Sequence, residues 1–140
     1  MRQSGILMII LFIVGCTSTK RAHPDSNVLN GNWIPVKQEI SGTLLPNSVF
    51  KNQRLIILDS TYTVIAESVD KGIIKYNGNK MDIYGREGVN AGKHFTAISK
   101  IENGHMIVCY NLGGDAYPET FETKGKPLYL LSEFEKEQAK

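Results

Sequence analysis

Most residue types that announce a specialised chemistry are scarce in this sequence. Two cysteines in 140 residues exclude a disulfide scaffold. Sixteen basic against fourteen acidic side chains leave a formal charge of +2, which gives no electrostatic footprint for a nucleic-acid partner. Three histidines, His23, His94 and His105, are too few and too scattered for a metal site. No Gly-x-Ser-x-Gly, His-Glu-x-x-His, Walker or dinucleotide fingerprint occurs. Internal repeats, low-complexity tracts and heptads are missing too. Gly113-Gly114-Asp115 is glycine-rich, but no helical pattern follows it, so it reads as a turn and not as a phosphate loop. Without a convergent set of polar residues, the sequence predicts no enzyme, no metal and no cofactor.

Apolar residues are plentiful but unevenly spread. Ten of the first fifteen residues are apolar, against 48 of the remaining 125. The cationic start (the amino terminus and Arg2) is followed by an unbroken apolar run over 6–14. Nine residues rise roughly 14 Å in a helix, under half of a hydrocarbon core, so the run reads as a signal peptide and not as a span. Ile13-Val14-Gly15-Cys16 resembles the lipobox of bacterial lipoproteins. The resemblance implies cleavage after Gly15 and acylation of Cys16 on its thiol and its new amino group. Two or more acyl chains anchor firmly where one alone is marginal. Thr17, and not Asp, follows the cysteine. By resemblance to lipoprotein sorting in Gram-negative bacteria, this implies the outer membrane, facing the periplasm. Residues 1–15 are thus expected to be the leader, and 16–29 a lipidated, polar and flexible tether. Lys20 and Arg21 in it are placed to meet anionic headgroups.

Residues 30–136 read as one all-β domain, a size that makes one core. Runs of β-branched and aromatic residues with period two predict eight strands, over 31–40, 54–58, 61–68, 72–76, 80–85, 93–101, 105–112 and 127–135. One helical turn fits 47–51, and Pro35 marks an edge or bulge. Asn103-Gly104 as a type I′ turn opposes Glu102 to His105, Ile101 to Met106, Ser99 to Val108, Ala97 to Tyr110 and Phe95 to Leu112. A Gly78-Asn79 turn opposes Ile74 to Ile83, Lys75 to Asp82 and Tyr76 to Met81, which matches apolar with apolar and charge with charge. A meander of eight short antiparallel strands loses its exposed edges by closing into an up-and-down barrel.

Three stretches resemble a family of small bacterial lipocalin-like domains. They are Gly31-Asn32-Trp33 at the first strand, 55–64 in the second hairpin, and 104–111 followed by Tyr117-Pro118-Glu119-Thr120-Phe121 near the end. The resemblance implies the fold far more than a function. It also implies that a basic residue ending the last strand caps the tryptophan ring, for which Lys136 is the candidate. The sequence departs from the pattern by lacking the Thr-Asp-Tyr element and by carrying Tyr117 where an arginine is usual.

An eight-stranded barrel is just wide enough to be filled by side chains or to hold one small ligand. Trp33, Tyr62, Tyr76, Phe95, Tyr110 and Phe121 suit either an apolar cavity or a packed core. Two functions follow. One is a small apolar or amphipathic ligand bound in the barrel. The other is a solid non-catalytic interaction or inhibitor module acting on another envelope protein. The connection over 85–93, with three glycines, reads as a mobile loop at the barrel mouth. Cys109 lies in a strand pattern and reads as a small hydrophobe, and Glu119 and Glu122 as solvated loop residues.

Overall fold

A computed structural model describes residues 26–140. The leader, Cys16 and the first part of the tether lie outside the described residues. The chain forms β1 (Gly31–Ile40), β2 (Thr43–Leu44), α1 (Asn47–Phe50), β3 (Arg54–Leu58), β4 (Thr61–Ile65), β5 (Val69–Asn77), β6 (Lys80–Glu87), β7 (His94–Glu102), β8 (His105–Asn111) and β9 (Tyr129–Lys136). Every pairing is antiparallel, and β1 bonds to both β3 and β9. That double pairing closes eight strands into an up-and-down barrel, with β2 as a two-residue spur on β1. Closure satisfies the backbone groups that open edges would expose.

Both hairpin registers follow from turn chemistry. Asn103 and Gly104 have φ of 53° and 78°, the pair of left-handed residues that a type I′ turn requires. Glu102 then faces His105, Ile101 faces Met106, Ser99 faces Val108 and Ala97 faces Tyr110. The ladder stops at Thr96 opposite Asn111, one pair short of Phe95 and Leu112, because the Leu112 N–H turns to the Leu128 carbonyl. Ile74 faces Ile83, Lys75 faces Asp82 and Tyr76 faces Met81, as charge matching predicts. The register of β1 slips between Pro35 and Lys37, a bulge beside a proline that has no N–H to give.

The departures are local. The β4–β5 connection is a tight turn, with Ala66 N–H on the Ser68 carbonyl, so β4 ends at Ile65 and β5 begins at Val69. The last strand starts at Tyr129 rather than at residue 127. The end of the expected tether is part of the fold. Ser26–Leu29 is a 3-10 turn, and Leu29, only 1% exposed, joins the core. An aliphatic side chain at the end of a polar segment had somewhere apolar to go.

The long connection between β8 and β9 is a strap over the outer face of the barrel. Thr96 Oγ1 donates to the Ala116 carbonyl, and the Asn111 amide donates to the same carbonyl and to Asp115 Oδ1. Further along, Thr123 Oγ1 donates to Glu39 and accepts from the Gly42 N–H. The strap buries outward-facing Thr96, Ile98, Cys109 and Asn111. A second, smaller apolar layer therefore lies outside the barrel wall.

Candidate functional site

The barrel interior is plugged at one end and hollow toward the other. At the plugged end the Trp33 indole donates from Nε1 to the Leu29 carbonyl at 2.8 Å, and both residues are buried. Lys136 lies over the Trp33 ring with Nζ 5.4 Å from its centroid, the cap that the family resemblance implies. Gly31 makes the approach possible, since a Cβ there would stand 2.6 Å from Lys136 Cε.

Above the plug is a cavity of about 190 Å³. Its wall is made by inward-facing positions of the strands: Leu55 and Ile57 from β3, Tyr62 and Val64 from β4, Ile74 from β5, Met81 and Ile83 from β6. Phe95 from β7, Met106, Val108 and Tyr110 from β8, and Leu130, Ser132 and Phe134 from β9 complete the ring. Part of the room comes from a small side chain at an inward position. Ser132, which lines the cavity, fills far less volume than Leu130 and Phe134 on either side of it, whereas the space beside Gly72 and Gly85 is taken by the Tyr62 ring and the Asn90 backbone.

Polar groups gather at the open end. Gln38, Gln53 and Asn90 line the cavity there. Gln38, itself buried, donates from Nε2 to Gln53 Oε1 at 3.0 Å. Arg54, an outward position at the start of β3, turns away from the mouth, and its Nη2 pairs with Glu137 Oε1 at 2.9 Å in an exposed bridge. Asn90 belongs to the β6–β7 connection that glycine content marks as mobile. That connection is tied down instead: Asp70 Oδ1 accepts the Asn90 N–H at 3.0 Å, and Gly85 and Gly92 bond back across it. Gly85 permits the fold-back, because a Cβ there would lie 1.8 Å from the Asn90 carbonyl oxygen.

Of the six aromatic residues suited to either a cavity or a packed core, Tyr62, Phe95 and Tyr110 line the cavity. Trp33 is in the plug, and Phe121 lies in the strap with Lys100 Nζ 4.8 Å from its ring centroid. Period two says which face a strand residue takes, but the 112–128 connection has no period to read. Tyr76 faces inward and packs against the core outside the cavity lining. Its hydroxyl is buried with no hydrogen-bond partner, and burial pushes its pKa up to about 12. Burial likewise raises Tyr62, with Asp70 adding to it, and raises Tyr110, with the Tyr62 and Tyr76 phenols adding to it. The sequence reading missed Gln38, Gln53 and Asn90, since a lone amide in a strand or loop carries no signal of convergence.

The remaining chemistry-bearing residues are held in structural pairs on the outside. His94 Nε2 pairs with Asp82 Oδ1 at 2.7 Å and stacks on Tyr84, while Tyr117 donates to Asp82 Oδ2. Tyr117, standing where the family pattern has arginine, fastens the strap to β6. His105 sits opposite Glu102 as predicted, but its Nδ1 pairs with Glu133 Oε1 at 2.6 Å, across the neighbouring strand pair. No group of three or more potential metal ligands forms among the described residues. Burial of Cys109 pushes its thiol up to about 11, the behaviour of a packing residue. Glu119 and Glu122 are exposed.

The arrangement holds no paired acid and base at the cavity. It offers a mostly apolar volume, with phenol groups in its wall and amides toward its mouth. No protein-family model and no curated protein matches the chain.

Proposed function

We propose that the chain is a lipid-anchored envelope lipoprotein whose lipocalin-like barrel reversibly buries a small apolar or amphipathic molecule. The observation that carries this reading is the apolar cavity of about 190 Å³, open at one end, with Gln38, Gln53 and Asn90 in its lining. An engineered cavity of about 150 Å³ lined by aliphatic and aromatic residues stays dry and takes up benzene. A guest here buries one aromatic ring or a short chain, and the rest of a larger amphiphile extends through the mouth. Burying eight methylene-sized groups contributes about 6 kcal/mol, a Kd of tens of micromolar. The lipobox at Cys16 supports the membrane address, and Thr17 supports the outer membrane facing the periplasm.

Native mass spectrometry of the chain from Cys16 onward, carrying Cys16→Ser, tests the ligand. A small molecule that copurifies, or that is taken up from a panel of short fatty acids and aromatic amphiphiles, is expected. A persistently bare mass with no response to the panel overturns the binding reading. In cells, Cys16→Ser in the full chain releases the protein from the membrane fraction; continued membrane retention overturns the anchor.

One observation favours a second reading, the interaction module. Leu44 on β2, Val49 on α1, Val69 at the start of β5, and Val89 and Leu128 in connections are half or more exposed, and all lie toward the mouth end. Such a rim suits contact with another envelope protein, with or without a guest in the barrel. A pull-down that retains one such protein, and loses it when residues 85–93 are replaced, is its expected signature.

A further inference from the structure

The bulge in β1 chooses which of its side chains faces the cavity. Trp33 and Pro35 point inward, and strict alternation would turn Lys37 in after them. The register slips between Pro35 and Lys37, so Val36 and Lys37 both stay outside and Gln38, 7% exposed, turns in. One irregular step in the strand thus exchanges a lysine for a neutral amide in the cavity lining.

That amide is held in one orientation by its neighbour. The Val49 carbonyl can only accept, so Gln53 turns Nε2 to it, at 3.4 Å, and Oε1 to Gln38. Gln38 answers with its own Nε2, at 3.0 Å from Gln53 Oε1. Its Oε1 is left over, and no hydrogen bond from the described residues reaches it. The only side-chain polar atom among the described residues that is both sealed and unpartnered is the Tyr76 hydroxyl, so Gln38 Oε1 opens on the cavity that Gln38 lines. Directly across the strand pair stands Ser132, which lines the same cavity from β9. Such cross-strand neighbours have Cβ atoms about 5 Å apart, so the amide oxygen and the hydroxyl make one polar patch in an apolar wall.

The patch is neutral. No carboxylate, lysine or histidine stands in the lining, and Arg54 is engaged outside with Glu137. An ammonium group would give up its water and meet no opposite charge. A carboxylate would face the Gln38 oxygen, which repels it. A hydroxyl suits both partners, since it donates to Gln38 Oε1 and accepts from the Ser132 O–H.

We propose that Gln38 and Ser132 form a subsite for the hydroxyl group of an uncharged alcohol whose apolar part is a ring or a short chain. The inference rests on the binding function proposed above and narrows it to a chemical class. The apolar body of the guest lies against Phe95, Val108, Leu130 and Phe134, and Gln53 acts as a positioning residue that aims the amide.

Titration calorimetry on the chain from Cys16 onward carrying Cys16→Ser compares toluene, benzyl alcohol, benzaldehyde and benzoate. The probes share a ring and differ in having no polar group, a donor with an acceptor, an acceptor alone, and a charge. In a cavity with no partner for it, the alcohol binds more weakly than toluene, because its hydroxyl gives up water for nothing. Here benzyl alcohol is expected to bind at least as tightly as toluene, and more tightly than benzaldehyde or benzoate. Gln38→Met keeps the length of the side chain without the acceptor, and Ser132→Ala removes the hydroxyl. The ratio of benzyl alcohol to toluene affinity is expected to fall at least tenfold in the first variant and severalfold in the second. Thermal unfolding verifies that each variant is folded; should Gln38→Met not fold, Ser132→Ala and the benzaldehyde comparison decide. Toluene binding more tightly than the alcohol, benzaldehyde matching the alcohol, or a ratio unchanged in the folded variants overturns the subsite and leaves the apolar cavity standing. Benzoate as the tightest probe also overturns it. Failure of all four probes to bind overturns the subsite together with the binding function.

Discussion

The ring of Tyr62 lies across Gly72, its partner on the neighbouring strand, in a space that a side chain would occupy. A Cβ on Gly72 would stand 2.1 Å from the Tyr84 carbonyl oxygen and 2.6 Å from Tyr62 Cε1. One of these contacts is backbone and cannot swing aside. Gly72→Ala is expected to destabilise the domain by about 2–4 kcal/mol, through overpacking and displacement of the β5–β6 ladder. Urea denaturation of the variant measures it. A loss under about 0.5 kcal/mol would mean that the barrel relaxes around the methyl group.

The cavity is expected to close when a small inward residue is enlarged. Ser132 lines it on β9 opposite Val108, and its side chain is buried. Ser132→Leu puts apolar volume where a guest would sit and removes a buried hydroxyl. Affinity for toluene is expected to fall at least about tenfold, with stability changed by less than about 1.5 kcal/mol because a pre-existing void takes up the added carbons. Calorimetric titration and thermal unfolding separate the two effects.

Asp82 makes stability fall in acid. Its carboxyl is held below the usual carboxylate range first by the Tyr117 hydroxyl; burial opposes this next, and His94 and Lys75 lower it further. A depressed folded-state pKa stabilises the fold above the unfolded value of about 3.9, and the gain disappears as pH falls through the folded value. Denaturation midpoints measured from pH 6 down to pH 2 are expected to drop less steeply for Asp82→Asn than for the parent. Parallel curves would show that this carboxyl does not couple to folding.

Cys109 is expected to be silent toward thiol reagents in the native protein. The strap covers it completely, and burial pushes its thiol up to about 11, so thiolate is scarce at neutral pH. A disulfide reagent should titrate no thiol in the Cys16→Ser chain under native conditions and one thiol in urea. Fast native labelling would show that the 112–128 connection opens.

Thr123 holds that connection to the barrel. It donates to the Glu39 carboxylate and accepts from the Gly42 N–H, and it is fully buried. Thr123→Val keeps the shape and strands both partners, at an expected cost of about 2–4 kcal/mol. Amide exchange should speed up through 112–128 and at Gly42 before it does so in β5 or β6. Uniform acceleration across the barrel would mean that strap and barrel open as one unit.

The legible parts of this protein are those in which a residue's neighbours in sequence carry the constraint. Alternating apolar residues mark the strands because successive side chains point to opposite faces. Asn103-Gly104 and Gly78-Asn79 set two registers because a short turn allows few others. Lys136 over Trp33 was legible only through resemblance, since nothing local joins residues a hundred positions apart. Tyr62, Phe95 and Tyr110 were placed at the cavity, whereas Phe121 was not, because the segment that carries it takes its place from contacts with a barrel wall already formed. The polar spacer hid Leu29 for the same reason.

The sequence by itself determined an all-β chain, eight strands, their order and two of their registers. It also supplied the apolar run over 6–14 and the cysteine behind it. These follow from period, turn chemistry and local composition, which act over a few residues. Only the tertiary structure decided that the barrel is hollow. Whether inward side chains fill a closed cylinder is a sum over eight strands, in which a small residue such as Ser132 counts as much as any aromatic. The same sum placed the plug at Leu29 and Trp33 and left the mouth at the other end. It also brought Tyr62, Phe95 and Tyr110 to one cavity, because three residues far apart along the chain come to line one space only when the sheet curves round and closes.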